Sequence, residues 1–215
     1  MEGLGGNSRS ADRRLSAALI AYRDTSPRVR LWALTNLAEI AWRQGDLVRA
    51  ARLFREALSL NRRDAYLLDA FADLLLDLKR PGEVIRLLAN DSRVDGHLLR
   101  LALATRDLKD QKASPLIETL AARFAANRLR GEALHLREEA RFELFLRQRP
   151  VRALELALEN WRTQREPADV RLVLESALAA DQPAQSQKVL DWLERTRLED
   201  RSLSPLVAKI REAVG

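Results

Sequence analysis

The stretch Leu31-Trp32-Ala33-Leu34-Thr35-Asn36-Leu37-Ala38-Glu39-Ile40-Ala41-Trp42-Arg43-Gln44-Gly45-Asp46-Leu47-Val48-Arg49-Ala50-Ala51-Arg52-Leu53-Phe54-Arg55-Glu56-Ala57 decides the fold. Leu34, Leu37, Ala38 and Ala41 recur at helical spacing, as do Ala50, Phe54 and Ala57 after the Gly45-Asp46 break. The pattern predicts helices over 29–43 and 46–60. A link this short implies antiparallel neighbours. Shifting the frame by 34 positions gives Leu68, Phe71, Ala72, Leu75, Val84, Leu88 and Asp91. All but Asp91 keep an apolar or small residue, so the helix pair repeats.

Working outward, the rest of the chain is helical text broken by short turns. Helices are expected over 11–23, 65–78, 82–90, 94–107, 113–126, 131–147, 151–163, 168–180, 184–196 and 203–213. Pro81, Pro150, Pro167, Pro183 and Pro205 sit where first helical turns begin, and Pro115 falls within the first turn of another helix. Proline is tolerated there because its missing N–H has no intrahelical partner. Second-helix segments recur at Val84, Ser114, Ala153 and Ser186, at spacings of 30, 39 and 33. Helix 131–147 reads as longer than the others, and Arg141 falls where a small packing residue is expected. Residues 1–10, rich in Gly and Ser, read as a disordered lead. Residues 11–215 form one repeat domain, with degenerate pairs over 94–126, 131–163 and 168–196 and a cap over 203–213.

Composition agrees with an all-α chain. Hydrophobic residues make up 47% but aromatics only 5%, so Leu and Ala carry the core, and both favour helix over sheet. With no cysteine, disulfides, thiolate metal sites and Cys nucleophiles are excluded. Two histidines, His97 and His135, leave little for a metal or His-based catalytic set. The eight glycines include those at 3, 5, 6, 45 and 215, and no phosphate loop, dinucleotide fingerprint or nucleophile elbow is present. The net charge is +6, and only five of the 37 basic residues are Lys. That balance permits nucleic-acid binding without demanding it.

Residues 31–64 resemble a tetratricopeptide repeat. Leu37, Ala38, Ala50, Phe54 and Ala57 match its packing positions, and Gly45-Asp46 matches its inter-helix turn. Leu34, Ala41 and Arg62 depart from the family's Trp, Tyr and Pro. Residues 65–90 are a degenerate second copy. The chain also resembles uncharacterised bacterial repeat proteins through Leu31-Trp32-Ala33-Leu34, Asp64-Ala65-Tyr66-Leu67-Leu68, His135-Leu136-Arg137-Glu138-Glu139-Ala140-Arg141-Phe142, and Asn160-Trp161 with Gln164-Arg165-Glu166-Pro167. In that group the matching part is commonly the C-terminal half of a longer, often exported protein.

The resemblance implies an α/α superhelical solenoid of about five helix pairs, whose concave wall grips a partner protein or peptide. Its groove positions fall on Trp32, Thr35, Glu39, Trp42 and Arg43, then on Tyr66, Asp69, Asp73, Leu76 and Asp77. Asp69, Asp73 and Asp77 are four apart and share one helical face. Aromatic rings beside an acidic stripe suit a partner segment with apolar anchors and Lys or Arg. Such a stripe is also the ordinary solvated face of a helix, or the partner of Arg43 and Arg80. Asp69 and Asp73 would repel a terminal carboxylate, so the carboxylate-clamping use of the fold is not expected.

Two other constellations stand out. Arg49, Arg52 and Arg55 form a basic edge, extended by Arg62 and Arg63, with Arg9, Arg13 and Arg14 near the N-terminus. Phosphate contacts need such charge, but single-strand binding adds stacking aromatics, and the only one interleaved here is Phe54, a core position. His135, Glu138 and Glu139 lie within one helical turn, a metal-capable spacing. Glu132, Arg137, Arg141 and Glu143 around them favour salt bridges between helices. Trp161 and Trp192 read as hydrophobic anchors. The sequence therefore points to a non-catalytic scaffold without cofactor or metal, with nucleic-acid or anionic-surface binding as the alternative and a metal-binding or catalytic protein, centred on His135 and Glu138, ranked behind both. No run approaches the ~18 apolar residues of a membrane span. No signal peptide is evident, which places the chain in the cytoplasm, or in the periplasm if an exported relative has lost its N-terminal half.

Overall fold

The computed structural model describes residues 7–21, 26–61, 63–131 and 135–214. Among them there are twelve α-helices and no strand: α1 (Ser8–Ala21), α2 (Pro27–Arg43), α3 (Leu47–Leu60), α4 (Ala65–Asp77), α5 (Pro81–Leu88), α6 (Asp95–Asp107), α7 (Ala113–Leu129), α8 (Leu136–Arg141), α9 (Pro150–Trp161), α10 (Pro167–Ala179), α11 (Gln187–Thr196) and α12 (Ser204–Val214). A π-helical turn, Phe142–Leu146, follows α8, and a 3-10 turn, Pro183–Ser186, leads into α11.

Local chemistry starts these helices. Pro27, Pro150 and Pro167 occupy first-turn positions. The Asp46 carboxylate accepts from the Arg49 N–H at 3.1 Å, and that of Asp64 from the Leu67 N–H at 2.9 Å. Each satisfies a backbone donor that the helix itself leaves orphaned.

The helix stops carry the same spacing as the second-helix segments. Besides Gly131 and Arg197, which follow α7 and α11, left-handed residues fall at Gly45, Lys79, Lys109, Gln148 and Asp181, which are 34, 30, 39 and 33 positions apart. Beside four of them the same closing bond recurs. The N–H groups of Asp46, Arg80, Asp110 and Gln182 donate to the carbonyls of Ala41, Leu75, Thr105 and Ala177 at 2.9, 2.9, 3.1 and 2.9 Å, a Schellman closure. In the remaining case the Arg149 N–H reaches the Glu143 carbonyl at 2.8 Å across one extra residue. The π turn supplies that residue and accounts for part of the longest spacing.

Three local expectations are corrected. Helix α1 begins at Ser8, which is buried, so the lead ends before residue 10; residues 1–6 lie outside the described set. The long helix over 131–147 is instead helical from Leu136 to Leu146, with Gly131 in a left-handed turn. There the small packing residue is Ala140, fully buried beside half-buried Arg141. Ser114 is exposed while Ala113 is buried; Ala50, Val84, Ala153 and Ser186 are buried as their spacing requires.

The chain divides into two compact units: residues up to Leu87 with Thr196–Ser202, and Leu88–Arg195 with Leu203 onward. In the first, Phe54 is fully buried with Leu34, Leu67 and Leu74, and its ring lies 5.5 Å from that of Phe71. Helices α2 and α3 pack closely, and both α1 and α4 meet this pair. The returning segment 196–202 is fastened to α1 and to the α2–α3 turn. The Arg201 N–H donates to the Arg43 carbonyl at 2.8 Å, and Glu199 accepts from the Ser8 N–H at 3.3 Å and from its hydroxyl. Simple stacking of repeats brings only sequence neighbours together, so this contact was not legible from the period.

In the second unit α6 packs with α7, α9 with both α8 and α10, and α12 with α10 and the 3-10 turn. Leu98, Leu120, Phe124, Leu154, Val170, Leu174 and Val189 form its core, which Leu203 and Ile210 close from the last segment.

Candidate docking face

On α2, Leu31, Leu34, Ala38 and Ala41 turn inward. That orientation leaves Trp32 outward, and Glu39, seven residues on, lies along the same side. On α4, Leu67, Leu68, Phe71 and Leu75 are buried, so Tyr66 faces out. Trp32 is 59% exposed and Tyr66 60%. The Tyr66 hydroxyl donates to Glu39 Oε1, tying the outer sides of α2 and α4 together. Asp69, Asp73 and Asp77 are half-buried along α4, as are Trp42 and Arg43 at the end of α2. Thr35 is withdrawn from the face: it is buried and its hydroxyl donates to the Leu31 carbonyl at 2.9 Å. Arg80 pairs with Glu83.

The basic edge is partly engaged by acidic side chains. Arg49 forks onto Asp12 of α1 with contacts of 2.6 and 2.7 Å. The hydrogen bond from Arg49 is the main cause that holds the Asp12 carboxyl below its ordinary range, and the bond to Asp12 raises Arg49 in turn. Arg55 lies 3.5 Å from Glu83, with its guanidinium carbon 5.6 Å from the Phe71 ring centre. Arg52 and Arg63 are exposed; Arg62 lies outside the described residues.

The charged residues of α8 bind helices together. Arg137 donates to Asp169 through Nε at 2.6 Å and through its terminal nitrogen at 2.9 Å, and to Glu166 at 2.7 Å. Asp169, with no exposed side chain, also accepts from Asn160 Nδ2 at 2.7 Å and from the Glu166 N–H at 2.7 Å. Burial works against the Arg137 charge, but Asp169 and Glu166 together keep it above its ordinary value. Two stretches singled out in the sequence, 135–142 and 160–167, thus meet in one network. Its centre, Asp169, was missed. The available signal was its place three residues after Glu166 across a proline, a capping-box spacing. Nearby, the Trp161 and Trp192 rings meet edge-on at 5.2 Å.

Glu139 is buried and ion-paired with Arg128 of α7, while His135 is exposed and Glu138 half-buried. Burial is the largest influence on Glu139 and raises it, against the pull of Arg128 and Arg152. Glu132 lies outside the described residues. Among the described residues no group of three or more His, Asp or Glu is placed to hold a metal. No helix among them is long and apolar enough to cross a membrane. Comparison of the chain with protein-family models, with curated proteins and with solved structures finds no match.

Proposed function

We propose that this chain is a tetratricopeptide-type adaptor without catalytic activity, and that the α2–α4 face of its first unit binds a protein or peptide segment carrying apolar anchors and Lys or Arg. The observation that carries this reading is the pair of exposed aromatics, Trp32 and Tyr66, on adjacent first helices with Glu39 between them. Large rings outside a core favour binding surfaces, where they supply contact area at low entropic cost. Asp69, Asp73 and Asp77 add negative charge on the same helix as Tyr66. The repeating helix stops support a stack of helix pairs, and in such a stack the first helices line the inner wall. The nucleic-acid alternative is disfavoured because Arg49 and Arg55 are engaged with Asp12 and Glu83.

The test is a pull-down with the full chain, run at low and high salt. A protein partner retained at high salt, and weakened by Trp32→Ala and by Asp73→Lys, supports the adaptor. Nucleic acid retained only at low salt supports the basic edge instead. Unchanged capture by both variants removes the face from consideration. Micromolar binding of an acidic C-terminal peptide would instead point to the carboxylate-clamping use of the fold.

A further inference from the structure

A cleft of about 210 Å³ in the second unit is unrelated to the docking face. Sequence spacing builds it. Phe124 and Arg128 are one turn apart on α7, Arg152, Leu156 and Glu159 share one side of α9, and Glu139 projects from α8. Phe124 and Leu156 are buried and form an apolar floor. The volume equals that of about seven water molecules. It lies below the ~300 Å³ at which pockets for larger ligands begin, so a nucleotide or folded partner is too big.

The charges around this floor balance. Two guanidiniums, Arg128 and Arg152, oppose two carboxylates, Glu139 and Glu159. An anion bound here would meet both carboxylates, and a cation both guanidiniums. A dipolar ligand satisfies both signs at once. Glu139 is fixed on the inner wall by Arg128. Arg152 and Glu159 are exposed, about 10 Å apart along α9. Arg152 pairs with Glu155, one turn away at 2.9 Å, and its charge also acts on Glu139. An exposed pair of that kind is weak, so turning Arg152 inward costs little.

We propose that this cleft binds an apolar α-amino acid as its zwitterion, with the carboxylate on Arg152 and Arg128, the ammonium on Glu139 and Glu159, and the side chain on Phe124 and Leu156. Charge-assisted hydrogen bonds of both signs select the head group, and the apolar floor favours an aliphatic or aromatic side chain over glycine.

The experiment titrates the full chain with L-leucine by calorimetry and ligand-observed NMR. Leucinamide lacks the carboxylate, 4-methylpentanoate lacks the ammonium, and glycine lacks the side chain. Saturable leucine binding with Kd of about 1 mM or tighter is expected, with leucinamide and 4-methylpentanoate each about tenfold weaker, the weight of one charged hydrogen bond, and glycine weaker by the apolar contact it lacks. Arg152→Gln and Glu159→Gln lie at exposed positions; both should melt like the parent and bind leucine about tenfold more weakly. No saturation up to about 10 mM leucine overturns the proposal. So does equal affinity for leucinamide or 4-methylpentanoate, or full affinity in both variants.

Discussion

Replacing Asp169 by Ala should be among the most damaging single changes in the second unit, because it orphans donors on three residues at once. Its carboxylate takes four hydrogen bonds from three residues: two from Arg137, one from Asn160 and one from the Glu166 backbone. The side chain of Asp169 is fully enclosed and that of Arg137 only 20% exposed. Removing one member of such a pair leaves a charge with its solvation lost and unreplaced, at a cost of about 3–5 kcal/mol. Arg137 keeps Glu166 and some water, so the lower end, about 3 kcal/mol, is expected. For a unit of this size that corresponds to a fall in melting temperature of roughly 10 °C. Urea unfolding followed by far-UV circular dichroism and tryptophan emission measures it; Trp161, buried against Trp192, reports from the same unit. Arg137→Ala alone should cost a similar amount, and the double variant should cost less than the two singles together by about 2 kcal/mol. The reasoning is refuted if Asp169→Ala falls within about 0.5 kcal/mol of the parent, or if the single effects simply add.

Asp12→Asn should remove part of the acid sensitivity of the first unit. The folded pKa of Asp12 is depressed below its reference value of 3.8. Its pairing with Arg49 therefore stabilises the fold fully above about pH 4, and that contribution is lost as pH falls through the lowered folded value; parent and variant melting curves should converge at low pH. Gly45→Ala should cost about 1–2 kcal/mol in thermal unfolding. The backbone there has φ of +82°, farther from the left-handed centre than the other stops, and a Cβ would lie 3.1 Å from Arg201 Cδ. Phe54→Ala should cost about 3–5 kcal/mol, because a fully buried ring stacked on Phe71 leaves a cavity; a loss below about 1 kcal/mol in urea titration would contradict the packing described.

Helix content and the places where helices start and stop were legible because they depend on near neighbours. Apolar spacing in 31–57, prolines at first turns and the Gly45-Asp46 break act within a few residues, and the structure follows them closely. The irregular spacing of the second-helix segments was legible too, and it reappears in the left-handed stops. Local pattern said nothing of what charged side chains far apart in the chain do with one another. Arg49 reads as part of a basic edge in sequence, yet Asp12 lies 37 positions away and claims it. Arg137 reads as one charge among many until α10 brings Asp169 to it, and the return of residues 196–202 to α1 leaves no periodic trace. Short-range sterics and hydrogen bonding shape each helix from its own residues. Which charges are paired, and which rings stay exposed, is settled only when packing decides what loses water.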